Sequence, residues 1–386
     1  MIELVKELLI STGTVLIGIT LNILALFGLG NSYHEQIVDQ TQPSNQQKEK
    51  IVEEKSREKA VIKEAVINSS EEQVEIQEVV KTEIVETIQT IVQPIINQTQ
   101  TINTDELNTS ARNALVNVLC STKSSGSLNP SSGSGVIIDP RGIVLTNAHI
   151  AQYILLEQHG TGDYISCILR TGAPAYPTYL AEILYISPTW IKGNAEKIIE
   201  NDPVGTGEND FALLHITKHI QDDVNLPDQF PFIEIETDEN NIKKNVPVLI
   251  AGYPAGFLGG TIIQKSLWPV TAFSYITEVF TFISGTIDLV SLNGNIAAQK
   301  GSSGGPVLNA NTSKLVGISV TRTDAEQTAD RVLNAITIPH INRSIFSEIG
   351  INLGSYISGD LSERADNFNK TISPSLAELL EEVLRK

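Results

Sequence analysis

The sequence predicts an all-β domain, a sandwich or a pair of barrels, and three observations carry that reading. After about Ser110 short apolar runs alternate with turns: "NALVNVLC", "SGVIID", "GIVLTNAH", "YISCILRTG", "YLAEILYI", "DFALLHI", "VPVLIAGYPAG", "TFISGTIDLVSL", "KLVGISVTR" and "VLNAITIPHI". About a dozen strands at this spacing suit an antiparallel architecture. Helical periodicity is scarce there, with only "NRSIFSEIG" and "SPSLAELLEEVLRK" reading as helices, both near the C-terminus. Gly and Ser cluster at 124–135 and 301–305, whereas the first hundred residues lack the turn punctuation of a folded β domain.

Those first residues are a different material. From Leu8 to Gly30, "LLISTGTVLIGITLNILALFGLG" carries no charge and at 1.5 Å per residue is long enough to span a bilayer as a helix. A cleaved signal peptide has a shorter apolar region and a small-residue cleavage site, which "ALFGLG" lacks, so the run reads as an uncleaved anchor. Lys6 precedes it and no Lys follows before Lys48, an asymmetry that puts the N-terminus in the cytoplasm and the rest outside. Residues 31–47 are polar linker. The Glu- and Lys-rich stretch that follows carries Ile76, Val80, Ile84, Ile88, Ile91 and Ile95 at spacings of three and four, one apolar helical stripe. It is either an oligomerising stalk or a solvated helical spacer. Residues 97–111 read as the hinge before folded structure. The organisation is thus an anchor at 1–30, linker and stalk at 31–110, a β domain at 111–350, and a C-terminal tail with a short helix at 351–386. The 386-residue chain has 27 Lys and Arg against 45 Asp and Glu, a formal net charge of −18. That balance repels phosphate backbones, so no nucleic acid partner is expected.

"QKGSSGGPVLN", residues 299–309, places two serines among three glycines and runs straight into a strand. A linker does not do so; a tight loop displaying one hydroxyl does. A serine hydroxyl is a weak nucleophile and needs a histidine base, itself oriented by a carboxylate. Of the histidines at 34, 149, 159, 215, 219 and 340, only His149 ends an apolar strand among small residues, in "IVLTNAHIA". Asp210 stands immediately before the buried run "FALLHI", where desolvation favours pairing with a histidine N–H. Ser303 lies in the glycine turn. The motif also fits the G-x-S-x-G elbow of α/β-hydrolases, but Pro306 and "VLN" deny the helix that elbow needs, and His340 is a poor partner.

"GSGVIIDPRGIVLTNAHI", "NDFALLHI", "VLIAGYPAGF" and "KGSSGGPVLN…KLVGISV…NAITIP" together resemble, in order and spacing over about residues 112–345, the trypsin-like serine proteases, nearest the HtrA-like bacterial branch. The resemblance implies two six-stranded Greek-key barrels with the active site between them. It implies His149 as general base, Asp210 as its orienting acid and Ser303 as nucleophile, with the backbone N–H groups of Gly301 and Ser303 as oxyanion hole. By position Ala297 falls near the base of the primary pocket, with no fixed anion to select Lys or Arg. Val320, Thr321 and Arg322 form its wall, so small or medium apolar residues are the expected preference. The first and fourth strands of such a barrel are neighbours. Cys120 and Cys167 are therefore either a disulfide, contributing about 3–4 kcal/mol, or two buried thiols.

Two departures stand out. Ser302 occupies a position where HtrA-like relatives carry Asn and many secreted relatives an acid serving a zymogen switch. Only about forty residues follow Ile345, too few for the PDZ domain such relatives append. No Cys/His spacing suggests zinc and no glycine loop suggests a nucleotide, so neither metal nor cofactor is expected. The insertion "SPTWIKGNAEKIIENDPVGTGEN" before Asp210 is longer than a hairpin. The expected function is a membrane-anchored endopeptidase acting on protein or peptide substrates outside the cytoplasm, with homo-oligomerisation through the stalk open. The alternative is a catalytically silent, membrane-tethered binding module on the same fold. It would show His149 beyond reach of Ser303, or the peptide before Ser303 turned outward.

Overall fold

The structure is a computed structural model. It describes residues 103–386 apart from 123–128, 162–164, 201, 202, 204, 283–284 and 323–331, and the side chains of 321 and 322. The anchor and stalk read from the sequence lie outside the described residues, among which no helix is long and apolar enough to cross a membrane.

The chain opens with helix α1 (Thr104–Asn113), where the sequence reading expects a hinge. Asn103 caps it by accepting from Glu106 N–H, Asp105 and Glu106 suit the positive end of the dipole, and Leu107 and Ala111, four apart, bury one face. There follow β1 (Leu115–Thr122), β2 (Ser131–Asp139), β3 (Ile143–Thr146), helix α2 (Ala148–His159), β4 (Ile165–Thr171), β5 (Tyr176–Ile186), helix α3 (Pro188–Asn194) and β6 (Ala212–His219). The six strands close into an antiparallel barrel in the order β1-β2-β3-β6-β5-β4. Cys120 and Cys167 face each other across β1 and β4 and are joined by a disulfide.

A second closed barrel is built from β7 (Pro247–Gly252), β8 (Val270–Phe280), β9 (Leu289–Leu292), β10 (Pro306–Asn309), β11 (Leu315–Arg322) and β12 (Leu333–Thr337), with helix α4 (Gly260–Lys265) between β7 and β8. Its order is β10-β11-β12-β9-β8-β7. Closure leaves no strand edge unpaired in either barrel, and alternate side chains fill the two interiors. Val116, Val118, Ile137, Val144, Leu169 and Leu214 lie in the first, and Val248, Ile250, Ile276, Val290, Val307 and Ala335 in the second.

The C-terminal region is more than a tail with one short helix. After β12 come α5 (Ile338–Ile349), α6 (Leu353–Ser358), α7 (Leu361–Thr371) and α8 (Ser373–Leu384). Asn352 and Asp360 cap α6 and α7. Of these, α7 packs against β5 and α8 against α2 of the first barrel, whereas α5 lies against β11 and β12 of the second. Tyr356 donates to Leu184 O at 2.9 Å, and the Phe368 and Tyr185 rings lie 5.3 Å apart.

Candidate active site

His149 sits in the first turn of α2, directly after β3, so its backbone is fixed by both a barrel strand and a buried helix. Asp210 holds it twice: Oδ1 accepts the His149 backbone N–H at 2.9 Å, and Oδ2 lies 2.7 Å from His149 Nδ1. The Asp210 carbonyl in turn accepts from Asn147 Nδ2 at 2.8 Å, and Gln152 Nε2 donates to His149 O. Asp210 is buried, while His149 keeps a partly open face. With Nδ1–H donated to a carboxylate, Nε2 is the ring nitrogen left to take a proton. The turn that delivers Asp210 carries Gly207 and Asn209 at positive φ, and Ser344 of α5 donates to Asn209 Oδ1 at 2.7 Å.

Ser303 stands in the loop before β10. Gly301 (φ +92°) and Gly304 (φ +81°) flank it. A Cβ on Gly304 would lie 2.1 Å from Ser134 O and 2.5 Å from Thr146 Oγ1, so only glycine lets the loop press against the first barrel here. That contact sets Ser303 beside the end of β3, three residues ahead of His149. Among the described residues no hydrogen bond joins Ser303 Oγ to His149; without substrate such bonds are commonly long.

The peptide orientations around Ser303 are fixed by where its carbonyls go. Lys300 O accepts from Ala255 N–H at 2.7 Å, so in the planar Lys300–Gly301 peptide the Gly301 N–H points the other way. Ser302 O accepts from Gly305 N–H at 2.9 Å, and Ser303 N–H is likewise turned away from it. Neither N–H has a protein acceptor among the described residues. Two free donors of this kind suit a developing oxyanion. Of the two features expected of a silent binder, the outward-turned peptide is not what these carbonyls give.

Sequence reasoning did not single out Ser134 on β2. Its Oγ donates to Gly301 O at 2.7 Å and accepts from Tyr253 N at 2.9 Å, and its N–H donates to Ser303 O at 2.7 Å. One serine thus fastens the first barrel to both sides of the Ser303 loop. The local "SGSG" stood out only as Gly- and Ser-rich sequence leading into the strand run "SGVIID".

The expected pocket residues are only partly placed. Ala297 is fully buried in the second barrel's core, so no charge stands at that position. Val320 is covered from the insertion: a Cβ on Gly207 would come within 2.8 Å of it. The side chains of Thr321 and Arg322 lie outside the described residues. The Ser302 hydroxyl is buried with no hydrogen-bond partner among the described residues. Trp190, also from the insertion, is buried with its ring 6.5 Å from that of His149. No group of three His, Cys, Asp or Glu placed to hold a metal ion occurs among the described residues.

The class that this fold and sequence define is the serine-type peptidase of trypsin-like kind. Residues 133–318, just under half of the chain, match the family model described as a trypsin-like peptidase domain. Among solved structures it is similar to Deg5, at 15% identity over 62% of this chain and 93% of that one, with a TM-score of 0.40. It is also similar to the HtrA-type protease AlgW with decapeptide, at 18% identity over 64% and 68% and a TM-score of 0.40. A third is the active form of the Rv3671c protease from M. tuberculosis, at 15% identity over 64% and 85% and a TM-score of 0.37. No curated protein matches the chain.

Proposed function

We propose that the protein is a membrane-anchored serine endopeptidase in which His149, Asp210 and Ser303 form the catalytic triad. The observation that carries this reading is the doubly bonded His149–Asp210 pair, set beside a turn with two free N–H groups. Ser303 Oγ attacks the scissile carbonyl carbon while His149 Nε2 takes its proton, and Asp210 stabilises the imidazolium. Gly301 and Ser303 N–H groups receive the oxyanion. Collapse breaks the C–N bond, with the proton passing from His149 to the leaving amine. Water, deprotonated by His149, then hydrolyses the ester on Ser303. Ala297 and Val320 give the primary pocket an apolar character, favouring small or medium apolar residues. The Cys120–Cys167 disulfide supports an oxidising compartment outside the cytoplasm, and the run 8–30 supplies the anchor. Hydrolysis of casein by the full-length chain tests the reading. Ser303→Ala and His149→Ala should abolish it, and Asp210→Asn should lower kcat by about 10⁴-fold. Equal hydrolysis by wild type and Ser303→Ala would refute it.

A further inference from the structure

Arg170, on β4, is fully buried, yet it forms no salt bridge among the described residues. A cation taken out of water without a counter-ion is costly, and an apolar side chain of similar volume would fill such a place with less penalty. Its bonds show what the guanidinium fork supplies instead. Nε donates to Asn117 Oδ1 at 2.8 Å, and Nη1 donates to Ile263 O and Gln264 O, at 2.8 and 3.0 Å, in the last turn of α4. Nη2 is buried without a partner among the described residues.

Both arms of this fork lead to the Ser303 loop. Asn117, itself fully buried, donates to Gly133 O at 2.6 Å, next to Ser134, which bonds Gly301 O and Ser303 O. On the other side, α4 belongs to the β7–β8 connection, whose Ala255 N–H fixes Lys300 O. Tyr253, in the same connection, donates its hydroxyl to Gly172 O, two residues past Arg170, at 2.8 Å. The two carbonyls that set the direction of the Gly301 N–H and the position of Ser303 are therefore reached from one buried side chain by two routes.

We propose that Arg170 is a positioning residue for the oxyanion hole: by tying Asn117 to the end of α4 it holds the Lys300–Gly301 peptide with its N–H inward. This rests on the catalytic reading of Ser303. A residue that merely filled space would affect stability alone, whereas a positioning residue affects the covalent step in a protein that is still folded.

The test is fluorophosphonate labelling of the full-length chain, resolved into a maximal rate and a half-saturating probe concentration, at a temperature where circular dichroism shows each variant folded. Arg170→Met should lower the maximal rate by about 10²-fold with half-saturation nearly unchanged. Arg170→Lys keeps the charge but lacks the planar fork, and should also be slow, by at least about tenfold. Millimolar guanidinium should accelerate Arg170→Ala, and methylammonium should not. If Arg170→Met does not fold, Arg170→Lys decides alone. A folded Arg170→Lys that labels at the wild-type maximal rate overturns the inference and leaves the catalytic reading standing. A wild type that labels no more than Ser303→Ala overturns both.

Discussion

Gly301 shows how narrowly single residues are constrained at the candidate site. Its φ is +92°, and a Cβ there would lie 2.6 Å from Tyr253 O and 2.9 Å from Ala255 N. Gly301→Ala should therefore push the turn away from Ala255, freeing the Lys300 carbonyl and misdirecting the Gly301 N–H. We expect kcat for a peptide substrate to fall by about 10²–10³-fold with KM changed far less; equal losses in both would point to a general collapse of the cleft. His149, Asp210 and Ser303 stood out as candidates in the sequence because each sits at a strand end in a distinctive local setting. Ser134 was not, because its partner Gly301 lies 167 residues away. Arg170 was hidden for a similar reason: the α4 carbonyls of Ile263 and Gln264 that accept from its guanidinium lie 93 and 94 residues further on.

At the scale of elements, the strands were legible and most of the helices were not. Eleven of the twelve strands among the described residues follow the apolar runs because each run is bounded by turn residues; β8, which leaves Phe273, Tyr275, Val279 and Phe280 exposed, was not among those runs. Helix α2 escaped notice because it is apolar nearly all round, with Ala148, Ile150, Ala151, Ile154, Leu155 and Leu156 all buried, so it shows no 3.6-residue alternation. Helices α6 and α7 failed to stand out for the opposite reason: they bury only three residues each in a polar stretch. The pairing of Cys120 with Cys167 depends on β1 and β4 being neighbours, which the sequence implied only through its family resemblance. The disulfide closes a loop with a sequence separation of 47. Reducing it, or replacing both cysteines by serine, should lower unfolding stability by about 3–4 kcal/mol, measured by urea titration. No change would mean that the bond contributes nothing to the native state.

For the whole molecule, stability should depend on acid through a second His–Asp pair remote in sequence from the first. His340 of α5 is buried with Nδ1 2.9 Å from Asp288 Oδ1, and Arg343 Nη2 reaches the same oxygen at 2.7 Å. Burial pushes the His340 pKa below its usual 6.5, outweighing the attraction of Asp288. Burial alone would raise Asp288, but hydrogen bonds from Thr286, Arg343 and His340 hold its carboxyl well below the ordinary 3.8. Both depressed values have the same sign: the unfolded chain binds more protons, so stability is complete above about pH 7 and is lost as pH falls. The loss should begin near pH 6.5 through His340 and continue below pH 4 through Asp288. His340→Gln should flatten the upper part of that profile in urea titrations at successive pH values. An unchanged slope between pH 7 and 5 would show that His340 titrates alike in both states.

The central claim, that Ser303 is a nucleophile activated by His149, is tested most directly by locating a covalent adduct. The full-length chain is treated with a fluorophosphonate, digested, and the modified residue identified by mass spectrometry. The account predicts a single phosphonate on Ser303 of "GSSGGPVLN", absent after His149→Ala and after denaturation before treatment. A folded wild-type chain with no adduct, or with one on Ser302 that survives His149→Ala, would contradict it.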